Sequence, residues 1–256
     1  MEFDRTTGKI SASKRDWEFL RRVAALKAQT PVPALGLWRQ NDDEFLWRKI
    51  VSQVYNRGGI GWFAALKKKG LQDTFDASVS AAKLRTFSSE AACKDYVLRQ
   101  MESFHVGRFR EDNARSVVAN LASFVDASGH LSQLRKQLDE LDCTAEPIGP
   151  KVQAREREAR KSMMGCLVFY QKGKKHYAKR KPPSDFLINI GFARTLIPFD
   201  SRMKSVFEGM FAVKVSEETN YELIENFFLS EVYPALHISP SEFDRIVFHH
   251  YKKLVP

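Results

Sequence analysis

Apolar residues recur along this chain at helical rather than strand spacing. Leu46, Ile50 and Val54 stand at four-residue intervals with Phe45 beside the first, which puts them on one side of a helix. The same spacing predicts helices over about 13–29, 61–69, 88–104, 112–127, 131–142 and 151–170, and no stretch sustains the alternation of a half-buried strand. Polar punctuation marks the ends. Ser13 caps the first helix, and Pro31 and Pro33 follow it; Asn41 or Asp42 opens the second, which Gly58-Gly59 closes. Shorter helices are expected near 183–190, ended by Gly191, and near 201–211. Two more complete the chain. The last has a capping box, with Ser239 at N-cap, Pro240 at the first helical position and Glu242 three residues after the cap. Residues 71–87 show no clear period, and 171–181 reads as a basic loop. The expected fold class is all-α, with ten or more helices and no internal repeat.

Composition changes this picture little, but charge does. A chain of 256 residues with 43% hydrophobic content can bury a substantial core. Its formal charge is +10, and between Lys151 and Pro182 eleven Lys and Arg face only Glu156 and Glu158, so one eighth of the chain carries almost the whole imbalance. A basic surface that concentrated attracts polyanions and speeds their encounter, so nucleic acid is favoured over a merely solubilising face. Cys93, Cys143 and Cys166 are odd in number and widely spaced, which fits neither a disulfide framework nor a metal-ligand pattern. No metal or cofactor is expected, and the cysteine usage points to a reducing compartment, cytoplasm or nucleus. The longest apolar run, Met163 to Tyr170, is too short to span a bilayer, and the N-terminal residues have no signal-peptide core.

The candidate chemistry lies just after the basic run. Residues 181–202 read K-P-P-S-D-F-L-I-N-I-G-F-A-R-T-L-I-P-F-D-S-R. A proline-primed helix is followed by a short apolar connector, which delivers Asp200 to the start of another helix. Asp is a common N-cap, and a plain cap explains Asp200 by itself. A capping carboxylate is also held in restricted geometry. Such an anion stabilises the positive charge that develops on a sugar when its glycosidic bond breaks. Lys181, at a helix entrance, is placed to meet a phosphate or a sugar, and a neutral lysine amine can attack a sugar carbon to form a Schiff base. Upstream, Gln53 and Asn56 end an apolar helix with amides that suit a gap left by an extruded base. Taken alone, the segment reads more readily as a plain surface helix terminus.

These residues together resemble the helix-hairpin-helix–GPD superfamily of DNA glycosylases, which includes endonuclease III and the 8-oxoguanine glycosylases. Ile50-Val51-Ser52-Gln53 is similar to the family's helix ending in a Ser-Gln pair that probes the duplex. Lys181, Phe186-Leu187, Gly191, Ile197-Pro198 and Asp200 follow the order of its catalytic corner, with a Lys-to-Asp separation of 19 like that of members with lyase activity. Pro240 to Arg245 is like a helix start near the end of many members. The glycine-containing hairpin is the departure. Tyr177-Ala178-Lys179 stands where it belongs, so the hairpin falls at 174–182, or at 148–152 if Ile148-Gly149-Pro150-Lys151 is that element. The iron–sulfur cysteines of endonuclease III are absent.

The resemblance implies two helical lobes with DNA across their cleft and a helix-hairpin-helix element at its mouth. One lobe is expected from 46–190, and the other from 1–45 together with 191–256. The implied activity is excision of a modified or damaged base from double-stranded DNA by a monomer, in repair or in defence against phage. Asp200 would stabilise the sugar cation, and Lys181 would add AP-lyase chemistry. Lys172, Lys174, Lys175, Lys179, Arg180 and Arg202 would hold phosphates, while Gln53 and Asn56 would fill the gap. Asp185, one turn after Lys181, resembles a base-contacting position, and its carboxylate would suit an exocyclic amine such as that of a modified cytosine. Oxidised purine, alkylated base and hypermodified pyrimidine all stay open. The rival reading is a non-catalytic DNA-binding protein on the same scaffold, with RNA binding a distant third.

Overall fold

The computed structural model describes residues 2–4, 9–55, 61–211 and 220–255. Helices dominate, as the periodicity predicts, and two small antiparallel pairs of strands accompany them. The first pair joins β1 (Glu2–Asp4) to β2 (Lys9–Ser11). Next comes α1 (Lys14–Ala24), where Ser13 caps as expected and Asp16 returns the hydrogen bond to the Ser13 N–H to close a capping box. α2 (Asp43–Tyr55) is opened by Asp42, whose carboxylate accepts from the Phe45 N–H at 2.9 Å; the glycines expected to close it lie outside the described residues.

α3 (Gly61–Lys68), α4 (Gln72–Ser78), α5 (Ala81–Leu84), α6 (Glu90–Ser103), α7 (Arg110–Phe124), α8 (Ser132–Glu140) and α9 (Pro150–Cys166) follow. The stretch 71–87 therefore holds two short helices, and the Glu44 carboxylate on α2 accepts the Ala81 and Ala82 N–H groups at the start of α5. Beyond β3 (Val168–Gln171) and β4 (Lys174–Tyr177) come α10 (Lys181–Asn189), α11 (Ser201–Met210) and α12 (Tyr221–Phe227). A π-helical turn, α13 (Tyr233–Leu236) and α14 (Pro240–Leu254) complete the chain.

Two hydrophobic cores organise these elements. One gathers buried residues from Trp38 to Leu196, among them Trp47, Ile50, Val117, Leu134, Phe186 and Leu187. The other joins Phe19, Leu20 and Val23 of α1 to residues from Ile197 to Leu254, including the neighbouring rings of Phe199, Phe207, Phe228 and Phe243. The chain passes from one core to the other between Leu196 and Ile197, inside the connector that leads to Asp200. Among the described residues no helix is long and apolar enough to cross a membrane.

The expected helix over 151–170 is corrected at its end. α9 stops at Cys166, and Val168-Phe169-Tyr170, which continue its apolar run, become a strand. β-branched and aromatic residues suit a pleated surface, and Phe169 sinks into the first core. The basic loop 171–181 is likewise a strand for part of its length. Val168 to Gln171 pair in register with Tyr177 back to Lys174, around a two-residue turn with both backbones left-handed, Lys172 at φ 52° and Gly173 at φ 74°. That is the turn geometry that matches the twist of a hairpin.

A polar ladder on α7 holds the other side of β3. Asn120 bonds both the Val168 N–H and its C=O at 2.8 Å, and the Ser116 hydroxyl accepts from the Tyr170 N–H at 2.8 Å. The Asp112 carboxylate accepts from the Lys172 and Gly173 N–H groups at 2.7 and 2.9 Å. Spacing of four residues puts all three on one face of α7. At 174–182, where the hairpin between helices was expected with Tyr177-Ala178-Lys179 in place of its glycines, a β-ribbon thus separates α9 from α10. Gly149-Pro150 serves instead as the cap and first residue of α9.

Candidate active site and nucleic-acid interface

α10 supplies the centre of the site. Lys181, Asp185 and Asn189 recur every four residues and so share one face. The Lys181 amine lies 4.0 Å from Asp185 Oδ2, and the same oxygen accepts from the Gln53 amide of α2 at 3.1 Å. From α14, Arg245 Nη2 reaches Asn189 Oδ1 at 2.8 Å and Asp185 Oδ1 at 3.5 Å. One carboxylate therefore collects donors from three helices. Asp185 is mostly buried, while the Lys181 side chain is 37% exposed.

α10 is also fixed at its far end. Phe192 N–H bonds the Leu187 C=O and Gly191 N–H bonds that of Ile188, a Schellman closure that needs the left-handed backbone of Gly191, φ 72°. Gly191 and Ile190 carbonyls then accept from the Gly36 and Trp38 N–H groups, which ties the N-terminal segment to the helix end.

Asp200 arrives by a buried connector that two carboxylates grip. Glu156 of α9 is fully buried and accepts from the Arg194 N–H at 2.9 Å, the Thr195 N–H at 2.7 Å and the Thr195 hydroxyl at 2.5 Å. Burial pushes its carboxyl up to about 7 despite those donors. Glu225 of α12, equally buried, accepts from the Ile197 N–H at 3.1 Å and is paired with Arg157 and Arg160 of α9. Asp200 then caps α11 as expected: its Oδ1 accepts from the Arg202 and Met203 N–H groups, both at 2.9 Å. Its Oδ2 has no hydrogen bond among the described residues. Half-buried and held by one oxygen, this carboxylate keeps the other available.

Three further residues at this corner were given no role from the sequence. Asp244 on α14 is 5% exposed, and burial, reinforced by Asp185 and Asp200, pushes its carboxyl well above the usual carboxylate range against the pull of Arg245 and Lys181. Arg245 leaves its Nε buried without a hydrogen-bond partner. Lys49, on the same helix as Gln53, has its ammonium pushed down by burial and by Arg245. The only signal that could have found Asp244 and Arg245 is their place in the Pro240–Arg245 block.

The other expected residues divide. Gln53 is 3% exposed with its amide turned onto Asp185, so it orders the site and does not present itself to a duplex at the surface. Asn56 lies outside the described residues. Arg202 stacks its guanidinium 4.5 Å over the Phe248 ring and donates to the Phe248 C=O, so it packs on α14 and does not reach out for a phosphate. Arg180 pairs with Glu222 at 3.2 Å and lies over Tyr221. The basic block that looked continuous in sequence is split: Arg155, Arg157 and Arg160 are spent on Glu146 and Glu225. Lys172, Lys174, Lys175 and Lys179 are exposed. Among the described residues no three His, Cys, Asp or Glu side chains gather as a metal site.

No family model matches the sequence, and no curated protein matches it either. Among solved structures, the fold is similar to that of the 8-oxoguanine DNA glycosylase of Methanocaldococcus jannaschii, with a TM-score of 0.63 over 94% of this chain and 96% of that one. Identity is 12%, so the likeness is one of fold: the chain has an all-α glycosylase-type fold.

Proposed function

We propose that the protein is a DNA glycosylase that extrudes a modified or damaged base from double-stranded DNA and cleaves its N-glycosidic bond. The observation that carries the reading is the corner itself. Lys181 and Asp185 share one face of α10, Asp200 caps α11, and all three act electrostatically on the buried Asp244, on a fold similar to that of a known glycosylase. In this reading the two cores act as the lobes between which the duplex lies. Asp200 stabilises the cationic sugar through its unbonded oxygen and orients the water that attacks it. In the lyase branch the Lys181 amine bonds to the sugar carbon as the base leaves with the electron pair of the glycosidic bond. The ring C–O bond at that carbon then breaks, its oxygen takes a proton, and the resulting imine leads to strand cleavage. Asp185, 4.0 Å away, takes up the proton that the amine must lose.

The test is excision by wild type and Asp200→Asn on duplexes carrying oxidised purines, alkylated bases, uracil and modified cytosines, with borohydride trapping of wild type and Lys181→Ala in parallel. Excision lost in the Asn variant, which still caps a helix, supports the reading and identifies the base. A trapped adduct lost in Lys181→Ala supports the lyase branch. Salt-sensitive duplex binding with no excision on any substrate would replace this reading by that of a DNA-binding protein.

A further inference from the structure

The β3–β4 ribbon is too cationic and too well anchored to be a spacer. Residues 171–177 are all exposed, and between Gln171 and Lys181 there are six Lys and Arg and no Asp or Glu. Tyr177 is 59% exposed, with the Lys175 ammonium 5.5 Å from its ring centroid. Edge strands often carry lysines only to prevent edge-to-edge pairing. That need does not require an exposed tyrosine, nor a turn clamped from a neighbouring helix. Here Asp112 holds both N–H groups of the turn, and Ser116 and Asn120 hold β3 along its length. A two-stranded ribbon has the width that the DNA major groove admits. Only Ala178, Lys179 and Arg180 separate Tyr177 from Lys181 at the candidate reactive corner.

We infer that this ribbon is the double-stranded-DNA anchor of the protein, in the place of a glycine hairpin. Lys172, Lys174 and Lys175 engage backbone phosphates beside the extruded nucleotide, and Tyr177 packs against the exposed nucleic-acid face. Asp112 is a positioning residue: it touches no DNA but sets the turn from which the lysines project. The inference rests on the reading of the protein as one that works on DNA, and its binding test needs no excision.

The experiment is titration of an undamaged duplex against the full chain over a salt series, read by fluorescence anisotropy. The triple variant Lys172→Gln/Lys174→Gln/Lys175→Gln is expected to flatten the slope of log affinity against log salt by about 2.7, since each neutralised phosphate contributes about 0.9. The matching triple Lys→Arg variant keeps the slope. Tyr177→Ser weakens binding roughly fivefold with the slope unchanged, as loss of an uncharged aromatic contact does. Asp112→Asn weakens binding with every lysine retained. Affinity and slope unaltered in the triple Gln variant would overturn the inference, as would equal, ribbon-dependent binding of single-stranded RNA. Ribbon-dependent binding without excision would sink the glycosylase reading and leave the ribbon. Excision with unchanged kcat and KM in the triple Gln variant would do the reverse.

Discussion

Gly191→Ala isolates the contact that locks α10 to the N-terminal segment. At φ 72° the backbone is left-handed, and an L side chain there costs about 1–2 kcal/mol from sterics alone. A Cβ at this position would also lie 2.0 Å from the Ala34 carbonyl oxygen and 3.1 Å from Leu37 Cβ. The oxygen belongs to backbone, so the 34–38 segment must retreat. Its hydrogen bonds from Gly36 and Trp38 to the Gly191 and Ile190 carbonyls, both 2.9 Å, then lengthen or break, at about 1 kcal/mol each. The expected loss is about 3–5 kcal/mol in all.

Gly70→Ala is the control, because Gly70 has φ 68° and no atom within 4 Å of the added Cβ. It should pay the conformational cost alone, about 1–2 kcal/mol. Equilibrium urea unfolding at constant m-value measures both. Excision by the folded fraction of the Gly191 variant would also fall, since Lys181 and Asp185 lie on the helix that loses this anchor. A Gly191→Ala loss no greater than that of Gly70→Ala would refute the reasoning.

Asp200 is expected to separate its two tasks: Asp200→Ala loses a cap that serves two N–H groups and about 1 kcal/mol of stability, whereas Asp200→Asn stays within a few tenths in the same denaturation assay. Arg160→Met leaves Glu225 in the interior with Arg157 as its one close cationic partner among the described residues, and should cost about 3–5 kcal/mol by urea midpoint. Glu156 binds its proton more tightly folded than unfolded, since burial lifts its carboxyl from 4.5 to about 7. Its stabilising contribution is thus complete below pH 4.5 and lost as pH rises through about 7, a swing of about 3 kcal/mol that Glu156→Gln should remove from the stability–pH profile. Parallel profiles for the two proteins would contradict the cause assigned to that shift.

The sequence by itself determined the helices whose apolar faces are long enough to repeat, and the ends whose chemistry is local. Ser13, Asp42, Asp200 and Ser239 cap helices through residues two or three positions away, and Gly191 closes α10 through its own φ, so short-range order suffices to read them. The Lys181–Asp185 pair is equally legible as one helical turn. Tertiary structure alone decided the rest. Val168-Phe169-Tyr170 could continue α9 or leave it, and the choice of strand depends on hydrogen-bond partners at Asn120, Ser116 and Asp112, some fifty residues earlier in the chain. The short helix α5 depends in the same way on Glu44.

At the site, periodicity shows that Gln53 and Arg245 lie on particular helix faces but not that these faces meet at Asp185, nor that Gln53 is thereby withdrawn from the surface. Charge counting likewise could not divide the basic block into arginines that neutralise buried Glu225 and lysines left on the ribbon. A hydrophobic pattern encodes which side of an element is buried. What it is buried against, and which polar groups find partners there, is set by contacts between residues far apart in the chain.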